Sequence, residues 1–169
     1  MDNVVPFRTP RKWRGHLCGE ILESAYIRFL TADAALSMLD HIGVSVTDLA
    51  RMQLQAVDFA NNPVQSQFCM ACAAEVGADE RPMTSEHMLR AAAWRGLHRI
   101  NYSTLVNILY ARMNIDFGAV KIALPVISQR GMVSYVEPEY WGEGQVRLVS
   151  RSVLDTNVHP EQVYMFAKV

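Results

Sequence analysis

The stretch SQRGMVSYVEPEYWGEGQVRLVSRS, residues 128–152, decides how the chain is interpreted. Hydrophobic and polar residues alternate on both sides of a loop that contains two glycines, which is the pattern of two antiparallel strands joined in a hairpin. Gly131 stands directly before the first alternating run, where a glycine is well suited to end a helix. The sequence therefore predicts a helix that stops at Gly131, followed by a hairpin with strands over 132–137 and 145–150.

The residues before Gly131 show the apolar spacing of a helix that begins at Asp116, a residue type suited to the N-cap. Its predicted inward face consists of Phe117, Val120, Ala123, Leu124 and Ile127. Pro125 falls inside this helix, where a proline removes one hydrogen bond and costs about 3 kcal/mol unless the helix bends. We expect a helix from Asp116 to Arg130 with a kink at Pro125; the alternative is that VKIALPVI is partly extended.

The rest of the chain before this segment is predicted to be mostly helical. Apolar residues recur at helical spacing over 17–41, 47–61 and 64–76. Thr84 opens a further amphipathic helix. A short extended link then leads to a helix that starts near Ser103.

The predicted order of elements over residues 84–150 is helix, short strand, helix, turn, helix and hairpin. This order resembles the winged helix-turn-helix unit of the MarR-type family of bacterial regulators. The stretches that carry the resemblance are MNID, ISQRGMVSY and GQVRLVS. The resemblance implies a mainly α fold with a small β-hairpin. It also implies that the helix over 116–130 enters the major groove of DNA and that the hairpin lies along the backbone.

Four parts make up the predicted organisation. They are a flexible basic arm (1–15), a helical dimerisation region (16–80), the winged-helix unit (84–152) and a C-terminal tail with room for one short helix (153–169). The resemblance implies a transcriptional regulator that binds double-stranded DNA as a homodimer. Members of the family carry a long helix after the hairpin and this chain does not, so we expect its N-terminal helices to form the dimer.

Basic side chains near the predicted reading helix are the candidates for DNA contact, because cations neutralise phosphates and release counterions. Lys121 is suited to guanine or phosphate, and Gly118 permits a close approach. The predicted DNA-binding residues are Lys121, Phe117, Gly118, Arg112, Arg130, Arg147, Arg8, Arg11, Lys12 and Arg14.

The hairpin loop EPEYWGEG argues against DNA contact, because it holds three glutamates that would repel phosphates. The alternative hypothesis is a protein-interaction module in which DNA has no part. Its contact surface would consist of Ile122, Pro125, Tyr140 and Trp141. A third hypothesis is a small-molecule sensor with a pocket between the N-terminal helices and the winged-helix unit.

Composition sets the broad class. The chain has 169 residues, 50% of them hydrophobic and 20% charged, with a net charge of −1, which is typical of a globular protein. We expect a cytoplasmic protein without a membrane segment, because no apolar run approaches the ~18 residues needed to cross a bilayer. Three cysteines fit a reducing compartment.

No motif indicates catalysis. The histidines lack metal-ligand spacing, and no phosphate-binding glycine loop or nucleophile motif occurs. Cys69 and Cys72 are predicted to lie on one face of a helix as buried structural residues, with a thiol switch as the minor alternative. We therefore expect neither enzymatic activity, nor a cofactor, nor a bound metal.

Overall fold

Strands outnumber helices in the computed structural model, which describes residues 17–21, 25–77, 84–153 and 158–168. The helices are α1 (Ala32–His41), α2 (Asp48–Leu54), α3 (Ala73–Gly77), α4 (Ser85–Trp94) and α5 (Tyr102–Tyr110). The strands are β1 (Leu17–Glu20), β2 (Ser45–Val46), β3 (Gln67–Cys72), β4 (Leu97–His98), β5 (Val120–Ile122), β6 (Ile127–Gln129), β7 (Met132–Tyr140), β8 (Val146–Ser152) and β9 (Val163–Lys168). They form two sheets, so this part of the chain is a mixed α/β protein.

The first sheet is organised around β9. Strand β3 pairs with one edge of β9, and β1 pairs with β3, both antiparallel. The other edge of β9 is shared by β4, which is antiparallel, and β5, which is parallel. Phe68 and Met165 face the main core, whereas Cys69 and Phe166 pack with the apolar residues of α3 and α4. Because both faces are covered, β3 and β9 are almost continuously apolar.

The second sheet has the strand order β2-β8-β7-β6. Strands β7 and β8 form its long central hairpin. On β7, Val136 and Pro138 are buried while the alternating Tyr135, Glu137 and Glu139 are only half-buried. The period of two shows that one face of this hairpin packs on the core and the other carries charge.

Helix α5 lies in the core and is buried over residues 102–109. Its buried side chains Asn107 and Thr104 are nevertheless bonded, as burial requires. Asn107 pairs with the backbone of Ile27, accepting its N–H at 2.8 Å and donating to its carbonyl at 3.0 Å. Thr104 accepts the Gln65 N–H at 2.9 Å. Helix α5 is therefore tied to two irregular segments as well as packed in the core.

Tyr102 connects α5 with the second sheet. Its hydroxyl donates to the Pro125 carbonyl at 2.6 Å and accepts the Val136 N–H at 3.0 Å. Burial, the largest cause, raises the pKa of this phenol well above its usual value, because the interior disfavours the phenolate. The neutral hydroxyl therefore joins α5, β7 and the link between β5 and β6.

The predicted reading helix from Asp116 to Arg130 is wrong. This segment forms a turn and the two short strands β5 and β6. Pro125 lies between the strands, where its missing N–H breaks no ladder. Arg130 and Gly131 do not end a helix but form a two-residue turn between β6 and β7, with φ values of 49° and 78°, as a type I′ hairpin turn requires.

The prediction of a mainly α fold with a winged helix-turn-helix unit is wrong for the same reason. The helix predicted over 64–76 is wrong for residues 67–72, which form β3, and only its end is helical, in α3. The stretch predicted to hold a short C-terminal helix contains β9. Within the described residues 17–21 and 25–41, α1 is the only α-helix, and residues 17–20 form β1. Short apolar runs fit a buried strand as well as a buried helix, and pairing with distant strands decided between them.

Predictions of helix starts and of the hairpin are confirmed. Helix α2 begins after the N-cap Thr47, and α4 begins after the N-cap Thr84. The helix predicted over 47–61 is shorter than expected, because α2 ends at Leu54 and only Phe59–Asn61 forms a further 3₁₀ turn. The helix near Ser103 is α5, which the side chain of Asn101 caps. The hairpin predicted after Gly131 is present, with longer strands than expected.

We predict that Tyr102→Phe lowers the free energy of unfolding by about 2 kcal/mol, because it leaves buried backbone groups of Pro125 and Val136 without a partner. Tyr110→Phe is the matched control, since Tyr110 ends the same helix and is 43% exposed. Urea denaturation measures both. Equal stability of the two variants would show that the Tyr102 hydroxyl does not hold these elements together.

Candidate ligand-binding pocket

A pocket of about 500 Å³ opens where the end of α5 meets the tip of the β7–β8 hairpin. We call it the hairpin pocket. Four segments of the chain contribute to it: the residues after α1, the end of α5 with the residues that follow it, the end of β7, and the start of β8. Its lining consists of Ile42, Gly43, Val44, Ile108, Leu109, Arg112, Met113, Asn114, Ile115, Phe117, Tyr140, Gly144, Gln145 and Val146.

The floor and the rim of the hairpin pocket differ in chemistry. Val44, Ile108, Leu109 and Ile115 are each at most 8% exposed and form an apolar floor continuous with the core. The exposed lining residues are mostly polar and include Arg112, Asn114 and Gln145. An apolar interior with a few polar groups at its edge is typical of sites for small molecules.

One wall of the pocket is an aromatic pair. The Tyr140 hydroxyl donates to the Ile115 carbonyl at 3.0 Å, and its ring lies 5.8 Å from that of Phe117. The Asp116 carboxylate accepts the Gly118 N–H at 2.9 Å and closes the turn that carries Phe117. A Cβ on Gly118 would lie 3.1 Å from that carboxylate oxygen. The wall is therefore held by the hydrogen bond of Tyr140 and by the Asp116–Gly118 bond in the turn that carries Phe117.

Arg112 holds an uncommon backbone conformation at the rim. Helix α5 ends in the pattern in which two successive N–H groups bond back to the last turn: Arg112 to Leu109 at 3.2 Å and Met113 to Ile108 at 3.4 Å. Glycine usually occupies the first of these positions, but here an arginine does, with a φ of 52°. A side chain in this left-handed region costs about 1–2 kcal/mol.

Arg112 also differs from its neighbours in charge. Among the described residues that line the hairpin pocket, it alone carries a formal charge at neutral pH. Its guanidinium makes no hydrogen bond or ion pair with any other side chain that the structure describes. The hairpin pocket thus combines an apolar floor with one cation that has no ion-pair partner among the described residues.

A second cleft, of about 450 Å³, lies between β5 and β9 of the first sheet and β7 and β8 of the second. We call it the intersheet cleft. Arg151 bonds to Glu137 at 2.9 Å and also to Glu139, and Glu139 pairs with Arg147 at 2.7 Å. Lys121 lies on the opposite wall. The carboxylates and guanidinium groups of this cleft therefore neutralise one another.

Tyr164 lines the intersheet cleft between these charges. Burial first, and then the nearby Tyr135 and Glu137, raise its pKa to about 12. Burial penalises the phenolate, and a neighbouring carboxylate adds to that penalty. The side chain is therefore a neutral hydroxyl at physiological pH.

The predicted DNA-binding residues do not form one surface. Arg112 and Phe117 meet at the hairpin pocket, and Phe117 also borders the intersheet cleft with Lys121. Arg130 lies in the β6–β7 turn and Arg147 is paired with Glu139. Gly118 stands in the turn before β5. The basic residues predicted in the N-terminal arm, Arg8, Arg11, Lys12 and Arg14, lie outside the described residues.

The predicted partner-binding residues are also separated. Ile122 is 4% exposed and belongs to the core, so the expectation that it faces solvent is wrong. Pro125 is half-buried, with its carbonyl bonded to Tyr102. Tyr140 and Trp141 are about half exposed at the hairpin tip, where Trp141 lies under the Arg147 guanidinium at 5.3 Å.

The two cysteines lie on β3 and not on a helix, so residues three apart point to opposite faces. Cys69 is buried and Cys72 is half-buried. Burial raises the pKa of the Cys69 thiol, with Lys168 opposing, which disfavours the reactive thiolate. Within the described ranges, no three His, Cys, Asp or Glu residues are placed to hold a metal ion.

Comparisons with known proteins leave the pocket geometry as the basis for assigning a function. The chain matches no protein-family model, no curated protein and no solved structure. No helix within the described part is both long enough and apolar enough to cross a membrane.

We predict that Arg112→Gly raises the free energy of unfolding by roughly 0.5–1 kcal/mol. Relief of the left-handed strain, about 1–2 kcal/mol, exceeds the extra chain entropy of glycine, about 0.5–1 kcal/mol. Arg130→Gly should give a similar gain, because Arg130 also has a positive φ. Chemical denaturation measures both, and a loss of stability in both variants would contradict the assigned conformations.

We predict that stability falls as the pH rises above about 10, where the unfolded chain releases the Tyr164 proton and the folded chain keeps it. Because the pKa of Tyr164 is raised in the folded state, the stabilisation that this side chain provides is fully present below about pH 10. It is lost as the pH rises towards about 12. Tyr164→Phe should lose less stability than the native protein between these two pH values in urea titrations. Identical pH profiles would show that Tyr164 titrates normally.

Proposed function

We propose that this protein binds a small, mainly apolar molecule in the hairpin pocket. The observation that carries the proposal is the concave opening above the buried apolar residues Val44, Ile108, Leu109 and Ile115, which polar side chains surround. A ligand that covers the apolar part of this lining displaces its water, which favours binding by about 25 cal/mol per Å² of apolar area covered.

The size of the pocket supports a small ligand. Its volume of about 500 Å³ falls inside the range of about 300–1,000 Å³ that is usual for such sites. Its walls come from the residues after α1, from α5 and from the hairpin. A ligand there would connect elements that are distant in sequence, which is what a small-molecule sensor requires.

Binding of double-stranded DNA and formation of a homodimer stay predictions from the sequence, as do the absence of enzymatic activity and the cytoplasmic location. The DNA hypothesis depended on a recognition helix over 116–130, and this segment consists of a turn and strands. The protein-interaction hypothesis keeps Tyr140 and Trp141 but loses Ile122, which is buried. We therefore base the proposal on the hairpin pocket.

We expect the neutral dye N-phenyl-1-naphthylamine to bind saturably, with a rise in its fluorescence as it leaves water. Val146→Phe should weaken this binding at least tenfold, because Val146 lines the pocket and a phenyl ring would occupy the ligand's space. Val126→Phe is the matched control, since Val126 is 43% exposed and does not line the pocket.

The thermal midpoint of each variant is measured first, so that unfolding is not mistaken for lost binding. If Val146→Phe is unfolded, Asn114→Trp fills the pocket from its exposed rim and carries the same expectation. Absence of saturable binding by the native protein would contradict the proposal. Equal affinities of the pocket variant and the Val126→Phe control would contradict it as well.

A further inference from the structure

We infer that the ligand of the hairpin pocket is an amphipathic monoanion, whose carboxylate or similar acid group pairs with Arg112 while its apolar body covers the pocket floor. This inference rests on the proposed function and specifies its substrate class. It is carried by two independent observations on Arg112, its backbone conformation and its charge environment.

The backbone shows that an arginine at position 112 is not a structural preference. Glycine satisfies the helix-ending hydrogen bonds of α5 without strain, whereas Arg112 makes them with a φ of 52°. Strained positions persist where the surrounding fold imposes them and tend to occur at ligand sites. Arg130 shares the positive φ but lies in the β6–β7 turn outside the hairpin pocket. The position of Arg112 beside the pocket is therefore what assigns its side chain a role in binding.

The charge environment indicates what that role is. Many arginines in the described part of the chain already have partners: Arg51 with Asp40, Arg90 with Glu86, and Arg147 and Arg151 with the hairpin glutamates. Arg112 has no ion-pair partner within the described part of the chain, and it lies beside the apolar floor of the pocket. A guanidinium binds a carboxylate through two parallel hydrogen bonds, which is stronger than a bond between neutral groups.

Neighbouring groups at the rim fit an anion. The side-chain amides of Asn114 and Gln145 line the same pocket, and neither forms a hydrogen bond within the described ranges. Each amide can donate to an acid oxygen. Glu143 lies in the hairpin loop beside Gly144 but is not a lining residue. The two amide residues therefore line the pocket, whereas this acidic residue does not.

The intersheet cleft is the less suitable site for such a ligand. Its Arg151 would have to leave two carboxylates before it could bind an external acid. The carboxylates would also repel the ligand. Lys121 alone would remain, at an exposed position.

The test uses two dyes that share one ring system and differ by a single acid group. They are 8-anilinonaphthalene-1-sulfonate, which is an anion, and the neutral N-phenyl-1-naphthylamine. Arg112→Gln should weaken binding of the anionic dye about tenfold or more, as expected for loss of a charge-assisted bond. Its affinity for the neutral dye should fall by a much smaller factor, because the apolar floor is unchanged.

Arg130→Gln is the matched control, since Arg130 is also an exposed arginine with a positive φ but lies in the β6–β7 turn away from the pocket. It should bind both dyes like the native protein. Arg112→Lys keeps the charge and should recover part of the affinity for the anionic dye. Added salt should weaken that dye's binding to the native protein more than to Arg112→Gln.

The outcomes separate the inference from the proposed function. If the native protein binds neither dye, the hairpin pocket is not a ligand site and the proposed function fails. If both dyes bind and Arg112→Gln weakens both equally, or neither, the anion inference is overturned and the pocket remains. Selective loss of the anionic dye supports both.

Discussion

Burial of α5 is the constraint on which the rest of this structure depends. A helix that is buried over residues 102–109 must find partners for every polar group it carries, because an unpaired buried group costs about 1–3 kcal/mol. Asn107 and Thr104 meet this requirement by bonding the backbone of Ile27 and Gln65. Tyr102 does so by bonding the link after β5 and strand β7. The same bonds that satisfy the helix therefore position the segments around it.

The hairpin pocket follows from where this helix ends. At its last turn α5 leaves the core, and the chain reverses through Arg112 beside the tip of the β7–β8 hairpin. The floor residues Ile108 and Leu109 belong to the helix itself and to the buried core, so core packing sets the position of the pocket floor. Gly43 has a φ of 79° and completes the opposite wall. A rigid helix end, an arginine and a hairpin thus meet at one opening.

Local signals in the sequence predicted local structure. Thr47 and Thr84 were recognised as helix starts because capping involves residues within one turn. The β7–β8 hairpin was recognised because alternation and glycines lie in one continuous stretch. Strands β3 and β9 were missed, because their apolar runs fit either state and their pairing joins residues far apart in sequence. The reading helix was a misassignment of Val120, Ile122 and Pro125, whose β-branching and missing N–H favour extended structure.

Parts of the candidate site could be anticipated, but its assembly could not. Arg112, Phe117 and Tyr140 were singled out for DNA or protein contact, and the structure brings all three to the hairpin pocket. Ile42 to Val44 and Gln145 carry no chemical signal, since they become lining residues only through the packing of four distant segments. The left-handed backbone conformation of Arg112 could not be predicted either, because the sequence has an arginine at a position where glycine is usual.

Amide chemical shifts recorded while the anionic naphthalene dye is added test the central claim most directly, because they locate the ligand on the chain. We expect the largest changes at residues 42–44, 112–117 and 144–146, together with the side-chain guanidinium of Arg112. Changes centred instead on Ser85, Lys121 and Arg151, which line the intersheet cleft, would contradict it.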